Sequence, residues 1–278
     1  MKISVASGKG GTGKTTIATN LALTLQDVQY IDCDVEEPNG HLFLNPSFYE
    51  RISVGIPVPE VDNSKCNYCD LCAKACEYHA IIVIKDRVLT FPELCHGCGA
   101  CSYICPEKAI NEVEREIGII ERGAAGDIEF VHARLNIGEP MAPPLIRKEK
   151  KLINDHKIVI IDSSPGTSCP VVESVKGSDF CVLVTEPTPF GLNDLKLAVE
   201  MVRVLKVPLG VVINLADIGT REVWTYCEKE TIPILMEIPF DRKIAELYSE
   251  GIPLTKELPE YRGKFLKLYQ EITSRTPQ

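Results

Sequence analysis

Apolar and polar positions follow the periods of strands and helices along most of this chain. Residues 1–7 form a short predicted strand with Ile3 and Val5 on one face, and the apolar residues Ile17, Leu21 and Leu25 then recur every four positions, as in a helix. Further strands are predicted at 158–162, 180–186, 209–213 and 233–238, and further helices at 191–205, 220–229 and 241–250. This alternation predicts an α/β fold whose mostly parallel sheet is covered by helices on both faces.

The alternation is interrupted in the first half of the chain. After Asp34 it breaks into a stretch punctuated by Pro38, Pro46, Pro57 and Pro59. Residues 80–91 alternate as a short hairpin with a turn at 85–86, and two strand-like runs follow between 113 and 132. We therefore predict a small α+β domain at residues 61–111, inserted into a larger domain made of residues 1–60 and 112–278.

Eight of the twelve cysteines lie inside the predicted insert in two runs of identical spacing, C-x2-C-x2-C-x3-C. Three thiolates at this spacing on a tight loop can face three corners of one cubane cluster, while the fourth ligand comes from elsewhere. Two structural zinc sites are the alternative, because zinc also binds four thiolates. Zinc ribbons usually pair two CxxC motifs at longer separation, so the spacing favours iron–sulfur clusters.

The cysteine-rich segment resembles bacterial-type ferredoxins with two [4Fe–4S] clusters, including Pro106 after the last cysteine. Glu77 departs from that pattern, where the first run would normally carry proline; this concerns the local turn and not the ligation. In such ferredoxins the fourth cysteine of each run ligates the other cluster. The resemblance implies one cluster on Cys66, Cys69, Cys72 and Cys105, and another on Cys76, Cys95, Cys98 and Cys101.

A glycine-rich loop follows the first predicted strand and precedes the first predicted helix. It meets the pattern GxxxxGK[ST], in which backbone N–H groups and the helix N-terminus bind phosphate. In this motif Lys14 would reach the β- and γ-phosphates, and Thr15 would hold Mg2+. The predicted nucleotide contacts of the loop are Gly8, Gly10, Gly11, Thr12, Gly13, Lys14, Thr15 and Thr16.

A dinucleotide-binding site is the rival interpretation of this loop. The same glycines satisfy GxGxxG, and Asp32 and Asp34 lie about 20 residues further on, as a ribose-binding acid would. Binding of NAD needs neither the charge of Lys14 nor the hydroxyls that follow it. The apolar strand 158–161 ends in Asp162, the place of an acid that holds Mg2+. These features favour ATP with Mg2+ over NAD.

Lys9 lies five residues before Lys14, and this extra lysine resembles the deviant Walker A ATPases, which include MinD, ParA, Mrp-type carriers and the nitrogenase iron protein. The chain is most similar to MinD-like ATPases with an inserted ferredoxin domain. The resemblance implies a homodimer, or a dimer with a related ATPase, that forms around bound nucleotide. It also implies that Lys9 crosses to the partner's phosphates and that Lys9, Lys14 and Asp34 form the catalytic group.

The remaining site residues are assigned by the same resemblance. Asp34 resembles the switch I aspartate that positions the attacking water, and Asp162 begins a segment that resembles switch II. The Mg2+ ligands would then come from Thr15, Asp34 and Asp162. Asn214, which ends a predicted strand, resembles the asparagine that contacts adenine. Pro239 and Asp241 occupy the positions where the family closes its base pocket.

Charge and cysteine usage exclude several other functions. A net charge of −9 argues against nucleic acid as a partner, because phosphate binding needs a basic surface. No apolar stretch approaches the roughly 18 residues needed to cross a membrane, and no signal peptide is predicted. The amphipathic segment 261–272 is expected to pack against the domain. A cytoplasmic location is expected, since twelve cysteines without a leader favour a reducing compartment.

Together these features predict an ATP-hydrolysing iron–sulfur protein. The expected role is to couple nucleotide state to electron transfer or to metal-cofactor assembly, together with a redox or cofactor-assembly protein partner. An iron–sulfur carrier or scaffold and a redox-sensing partitioning or positioning ATPase are the alternatives. Complete ligation argues against cargo clusters, because four thiolates leave no open position on a cluster.

Overall fold

The structure is a computed structural model, and it describes residues 1–276. Its strands are β1 (Lys2–Ala6), β2 (Val28–Cys33), β3 (Ser47–Val61), β4 (Ile81–Ile84), β5 (Arg87–Thr90), β6 (Ile110–Ala125), β7 (Ile128–Leu135), β8 (Ile158–Ser163), β9 (Phe180–Thr185), β10 (Leu209–Asn214) and β11 (Ile234–Ile238). Its α-helices are α1 (Lys14–Thr24), α2 (Gly40–Leu44), α3 (Leu71–Ala75), α4 (Ala100–Ile104), α5 (Ala142–Glu149), α6 (Cys169–Val175), α7 (Pro189–Val204), α8 (Glu222–Lys229), α9 (Arg242–Ser249), α10 (Leu254–Glu257) and α11 (Pro259–Arg275).

Nine strands form one sheet in the order β11-β10-β9-β1-β8-β2-β7-β6-β3. The pairs from β11 through β7 are all parallel, as the alternation of strands and helices predicted. In an open parallel sheet, ligands bind beyond the carboxyl ends of the strands. The glycine loop after β1 and the acidic residues at the ends of β2 and β8 therefore lie on the same edge of the sheet.

Apolar residues on both faces of the sheet are covered by helices. Along β9, Val182 and Val184 enter one hydrophobic core with residues of α1 and α11, whereas Cys181 and Leu183 enter a second core with residues of α6, α7 and α8. Successive side chains of a strand point to opposite faces, so one strand supplies both cores. The predicted helical cover on both faces is confirmed.

The C-terminal helix α11 belongs to the first of these cores. Phe265, Leu268 and Ile272 are fully buried along one side of it. Their spacing of three and four residues places them on a single helical face. The apolar face of this segment therefore packs against the domain, as expected. No helix among residues 1–276 is long and apolar enough to cross a membrane.

The chain divides into two compact units. The first contains residues 1–51, 120–134 and 146–278, and the second contains residues 52–119 and 135–145. The predicted insert, 61–111, lies within the second unit. That unit contains the hairpin of β4 and β5, which pair antiparallel with the turn at Lys85 and Asp86 as predicted. The strands β3 and β6 each contribute residues to both units.

The proline-punctuated stretch is more regular than the sequence pattern indicated. Residues 47–61 form the fifteen-residue strand β3, which includes Pro57 and Pro59. Proline cannot donate a ladder hydrogen bond and is therefore tolerated on edge strands. Because β3 is the edge strand of the nine-stranded sheet, its outer side has no neighbouring strand that needs a backbone N–H donor. Pro57 and Pro59 are therefore compatible with a continuous strand.

Candidate functional site: a nucleotide cleft and two cysteine cavities

The loop of residues 8–13 forms a tight turn that leads directly into α1. Gly13 precedes the helix with a φ of +96°, a conformation that other L-residues adopt only with strain. A Cβ on Gly8 would lie 2.2 Å from the backbone oxygen of Asp194, so only glycine fits there. Lys14 and Thr15 then occupy the first turn of α1 and are largely buried. This loop places the N-terminus of α1 where an anion can bind.

Asp162 lies beside this loop at the end of β8 and is almost fully buried. Tyr30 donates a hydrogen bond to its Oδ2 at 2.9 Å, whereas its Oδ1 has no hydrogen-bond partner among the described residues. Burial raises the pKa of Asp162, while Lys14, Thr15 and Tyr30 oppose that rise. A buried carboxylate oxygen without a donor is suited to a cation, because an unpaired buried charge is otherwise costly.

Asp32 and Asp34 end the neighbouring strand β2 and have different surroundings. The carboxylate of Asp32 is fully buried and accepts hydrogen bonds from the backbone N–H groups of Asp34 (3.2 Å), Asn39 (3.1 Å) and Gly40 (2.8 Å). It therefore holds the loop that follows β2 and is not free to bind a ribose, as the NAD interpretation would require. Asp34 is partly exposed, and burial raises its pKa to about 6 against the opposing charge of Lys14.

A cleft with a volume of about 320 Å³ opens beside the loop and is lined by residues of the first unit. The glycine loop and the start of α1 contribute Gly11, Gly13, Lys14, Thr15 and Thr16 to its lining. Apolar and aromatic side chains, including Phe240, Ile244 and Tyr248, form another part of its wall. This combination of N–H-rich loop and apolar wall is suited to a nucleotide, whose phosphates are charged and whose base is flat and largely apolar.

The residues assigned to the base also line this cleft: Asn214, Pro239 and Asp241. The amide Nδ2 of Asn214 donates to the backbone oxygen of Thr12 at 3.0 Å, which ties the end of β10 to the glycine loop. The carboxylate of Asp241 accepts from the backbone N–H of Lys243 at 2.8 Å and caps α9. Both residues therefore have structural bonds in addition to their places on the cleft wall.

Lys9 forms an ion pair within its own subunit. Its Nζ lies 3.0 Å from Oε2 of Glu186, and Glu186 follows β9 at the same edge of the sheet. Glu186 also lines the cleft. The sequence interpretation did not include this glutamate. Its position directly after a buried parallel strand was the available signal, because ligand-binding residues collect at strand ends.

In the second unit, the eight predicted ligand cysteines line two separate cavities. One cavity is lined by Cys66, Cys69, Cys72 and Cys105, and the other by Cys76, Cys95, Cys98 and Cys101. Each group combines three cysteines of one run with the last cysteine of the other. These are the two ligand sets that the ferredoxin resemblance implies, and their binding of clusters stays a prediction.

The charge interactions of the thiols follow the same grouping. Burial raises the pKa of Cys72, and Cys66 and Cys105 raise it further. Burial likewise raises the pKa of Cys95, with Cys98 and Cys76 adding to the effect. Sulfurs that are distant in the sequence therefore influence each other within each cavity. Four thiolates in one cavity would repel each other, and a positively charged metal centre would offset that repulsion.

The two cysteine runs share one backbone conformation. Tyr68 and Asp70 flank Cys69 with φ of 58° and 66°, and Gly97 and Gly99 flank Cys98 with φ of 64° and 72°. Positive φ is uncommon for Tyr and Asp, and such strained residues persist where a functional site imposes them. The backbone N–H of Ala80 lies 3.3 Å from the Cys76 sulfur, and that of Ala109 lies 3.3 Å from the Cys105 sulfur. An N–H donor four residues after the last cysteine of each run is thus directed at that cysteine's sulfur.

The remaining cysteines are outside these cavities. Cys181 and Cys227 are buried in an apolar core, Cys33 is buried beside Glu149, and Cys169 is exposed at the start of α6. Both Cys33 and Cys181 occupy small, fully buried positions on β2 and β9. Among residues 1–276, no group of three or more His, Cys, Asp or Glu side chains is placed to hold a single metal ion.

A parallel sheet with a glycine-rich loop between its first strand and helix, and a cleft beside that loop, defines a P-loop nucleotide-binding protein. The chain belongs to the CobQ/CobB/MinD/ParA nucleotide-binding domain family, which matches residues 3–254. The expected relation to MinD and ParA is therefore confirmed at the level of the family and its fold.

Two relatives show how far the similarity extends along the chain. The uncharacterized protein MJ0579 of Methanocaldococcus jannaschii is 31% identical over 258 residues, which are 90% of this chain and 90% of that protein. A protein of Pyrococcus horikoshii named iron-sulfur cluster carrier protein is 26% identical over 302 residues, covering 99% of this chain and 86% of that protein.

Solved structures agree on the fold. The cell division ATPase MinD of Pyrococcus furiosus has a TM-score of 0.61 at 22% identity and covers 98% of each chain. The septum site-determining protein MinD of Pyrococcus horikoshii, complexed with Mg-ADP, has the same TM-score at 21% identity and covers 98% of this chain and 95% of that one. At these identities the likeness concerns the fold.

Proposed function

We propose that the first unit binds ATP with Mg2+ and hydrolyses it. The observation that carries this proposal is that Lys14 and Thr15, which line the cleft at the start of α1, also interact with the buried carboxyl of Asp162. The backbone N–H groups of the glycine loop and the ammonium of Lys14 would bind the phosphate oxygens. The unpartnered Oδ1 of Asp162 and the hydroxyl of Thr15 are suited to the Mg2+ that accompanies the nucleotide.

Phosphoryl transfer needs mainly positioning and charge from a protein. Asp34 would orient the attacking water, for which its ionised carboxylate is the stronger acceptor. Asn214, Pro239 and Asp241 would enclose the base, since all three line the cleft. Lys9 would supply a further positive charge to the phosphates of a second copy in a nucleotide-dependent dimer. The Mg-ADP complex of the related fold supports a nucleotide of this type.

The second unit would hold two [4Fe–4S] clusters as the protein's own cofactors. Cys66, Cys69, Cys72 and Cys105 would bind one, and Cys76, Cys95, Cys98 and Cys101 the other. Four thiolates around each cavity and the backbone N–H groups directed at sulfur fit such a group. Each cluster supplies one-electron transfer when bound. The sulfur-directed N–H groups of this chain would stabilise added negative charge and so influence the reduction potential.

The function best supported by these two sites is coupling of ATP state to electron transfer toward a protein partner, in the reducing cytoplasm. Assembly or carriage of iron–sulfur clusters is the second candidate, favoured by the relatives named iron-sulfur cluster carrier proteins. Complete cysteine ligation favours resident clusters, because it leaves no ligand position for handover.

One experiment separates these two candidates. The Asp34→Ala protein, which should bind ATP and hydrolyse it poorly, is used anaerobically with ATP to capture partners and is then mixed with an apo-ferredoxin. Electron transfer predicts capture of a redox protein and retention of iron on this chain. Movement of iron to the acceptor would instead support the carrier function and contradict our proposal.

A further inference from the structure

Lys9 and Glu186 make a direct ion pair at the edge of the nucleotide cleft. Nζ of Lys9 lies 3.0 Å from Oε2 of Glu186, and their side chains are 33% and 15% exposed. The ion pair is therefore partly shielded from solvent, neither fully exposed nor fully buried. It is screened less than a surface pair, yet it lacks the desolvation cost of a fully buried one.

Both members of the pair are held by their backbones. The Ser7 hydroxyl donates to the backbone oxygen of Lys9 at 2.6 Å, which fixes the start of the glycine loop. The backbone oxygen of Glu186 accepts from the N–H of Thr188 at 2.8 Å, and a Cβ on Gly191 would lie 2.3 Å from that same oxygen. The contact therefore joins two segments whose backbones are already fixed, so forming it requires no further ordering of the main chain.

The Glu186 carboxylate has a position that needs explanation. It lines a cleft whose glycine loop and Lys14 are arranged for anions. A carboxylate without a counter-charge would repel phosphate in that place. Lys9 supplies the counter-charge, but a lysine bound to Glu186 of its own subunit is not available to the phosphates of a second copy.

We propose that Glu186 is a positioning residue for Lys9, holding it within its own subunit until ATP and a second copy of this chain are both present. The inference rests on the proposed ATP-dependent dimer and adds the residue that controls its formation. Each subunit must break one Lys9–Glu186 pair before Lys9 can cross to the partner's phosphates. The pair therefore opposes dimerisation, and the additional charge of the γ-phosphate overcomes it.

The test is the dimer dissociation constant of Glu186→Gln at saturating ATP, measured by sedimentation. The amide keeps the shape of the side chain but loses its charge. Because two pairs are broken per dimer, we expect dimerisation roughly twofold to thirtyfold tighter than in the native chain. The gain should be largest at low salt, and some dimer should form with ADP. Glu230→Gln, which breaks the 2.6 Å ion pair with Arg203, is the matched control and should change nothing.

A second background shows whether Glu186 acts through Lys9. In the Lys9→Ala protein the pair is already absent, so adding Glu186→Gln at saturating ATP can only relieve repulsion of phosphate and should tighten the dimer clearly less than it does in the native chain. An equal tightening in both backgrounds, or none in either, would overturn the inference while leaving ATP-dependent dimerisation standing. A native chain that stays monomeric with ATP would instead refute the proposed dimer, and the inference with it.

Discussion

The phenol of Tyr30 donates a 2.9 Å hydrogen bond to the carboxylate of Asp162, with both side chains buried between β2 and β8. The same ring stacks on Phe130, with centroids 5.6 Å apart and planes 9° from parallel. A core tyrosine thus sets the direction of the acid that faces the phosphate loop. Burial and the neighbouring Asp162 and Asp32 raise the pKa of Tyr30 well above its usual value, so it stays a donor.

Replacing Tyr30 with phenylalanine should weaken both stability and metal use. Without this donor the Oδ2 of Asp162 would lose its 2.9 Å hydrogen bond, which costs about 1–3 kcal/mol for a buried acceptor. Its pKa should rise, so more Mg2+ should be needed for half-maximal ATP hydrolysis. Denaturation and Mg2+ titration measure the two effects. Tyr49→Phe, at an exposed tyrosine, is the control. An unchanged Mg2+ requirement would contradict a metal role for Asp162.

The raised pKa of Asp34, about 6, predicts a defined pH dependence. The unfolded carboxyl titrates near 3.9, so the folded chain retains a proton that the unfolded chain loses between about pH 4 and 6. The free energy of unfolding should therefore fall as pH rises through that window. In nucleotide-free protein, Asp34→Asn should remove this step and add on the order of 1–2 kcal/mol of stability at pH 7. Melting temperatures at pH 5 and 7.5 measure it.

Hydrolysis should have the opposite dependence on pH, because ionised Asp34 is the stronger acceptor for water and the form that contacts Mg2+. We expect kcat/KM to decline as pH falls below about 6, since this ratio reports ionisation in the nucleotide-free protein. ATP turnover measured from pH 5 to 8 tests this expectation. A rate that is flat across the window would show that Asp34 is not the group that positions the water.

The two charged residues of the phosphate site should fail in different ways. Lys14→Ala should abolish productive ATP binding, because the phosphates lose their main counter-charge. Asp34→Ala should retain binding and reduce hydrolysis by about a hundredfold or more, since positioning of water is lost. Binding by calorimetry and turnover by phosphate release separate the two effects. Tight ATP binding by Lys14→Ala would contradict the assignment of the loop.

The pairing of cysteines across the two runs predicts the metal content. Anaerobically isolated protein should contain about eight iron and eight acid-labile sulfide per chain, as two [4Fe–4S] clusters require. Cys66→Ser and Cys105→Ser should damage the same cluster, although 39 residues separate them in number, because both line one cavity. Cys76→Ser should damage the other. Electron paramagnetic resonance of each variant distinguishes these outcomes, and zinc in place of iron would refute the ferredoxin interpretation.

The two sites are also predicted to be coupled. The cysteine-rich segment lies in the chain between Asp34 and Asp162, the residues whose segments respond to the γ-phosphate in P-loop enzymes. Cluster potentials should therefore differ between ADP and a non-hydrolysable ATP analogue. By reciprocity, ATP affinity should differ between oxidised and reduced protein by the same free energy, typically about 1–3 kcal/mol. An anaerobic redox titration measures the first, and identical midpoints would mean that the units act independently.

Local pattern in the sequence predicted the elements and motifs that depend on neighbouring residues. The alternation of apolar strands and amphipathic helices predicted the parallel sheet, and the glycine spacing predicted a phosphate loop that passes directly into α1 at Lys14. The cysteine spacing favoured iron–sulfur clusters, and the resemblance to ferredoxins implied which cysteines share a cavity. These features were readable because strand, helix and loop periods are set within a few residues along the chain.

Tertiary structure decided the features that join distant residues. The chain pattern did not show that Tyr30 orients Asp162, that Asp32 holds a loop by three backbone bonds, or that Lys9 pairs with Glu186 across 177 positions. It also read Pro57 as a break, although the edge position of β3 accommodates it. Such contacts depend on strand order in the sheet, which is set by packing of the whole domain and not by any local run of residues.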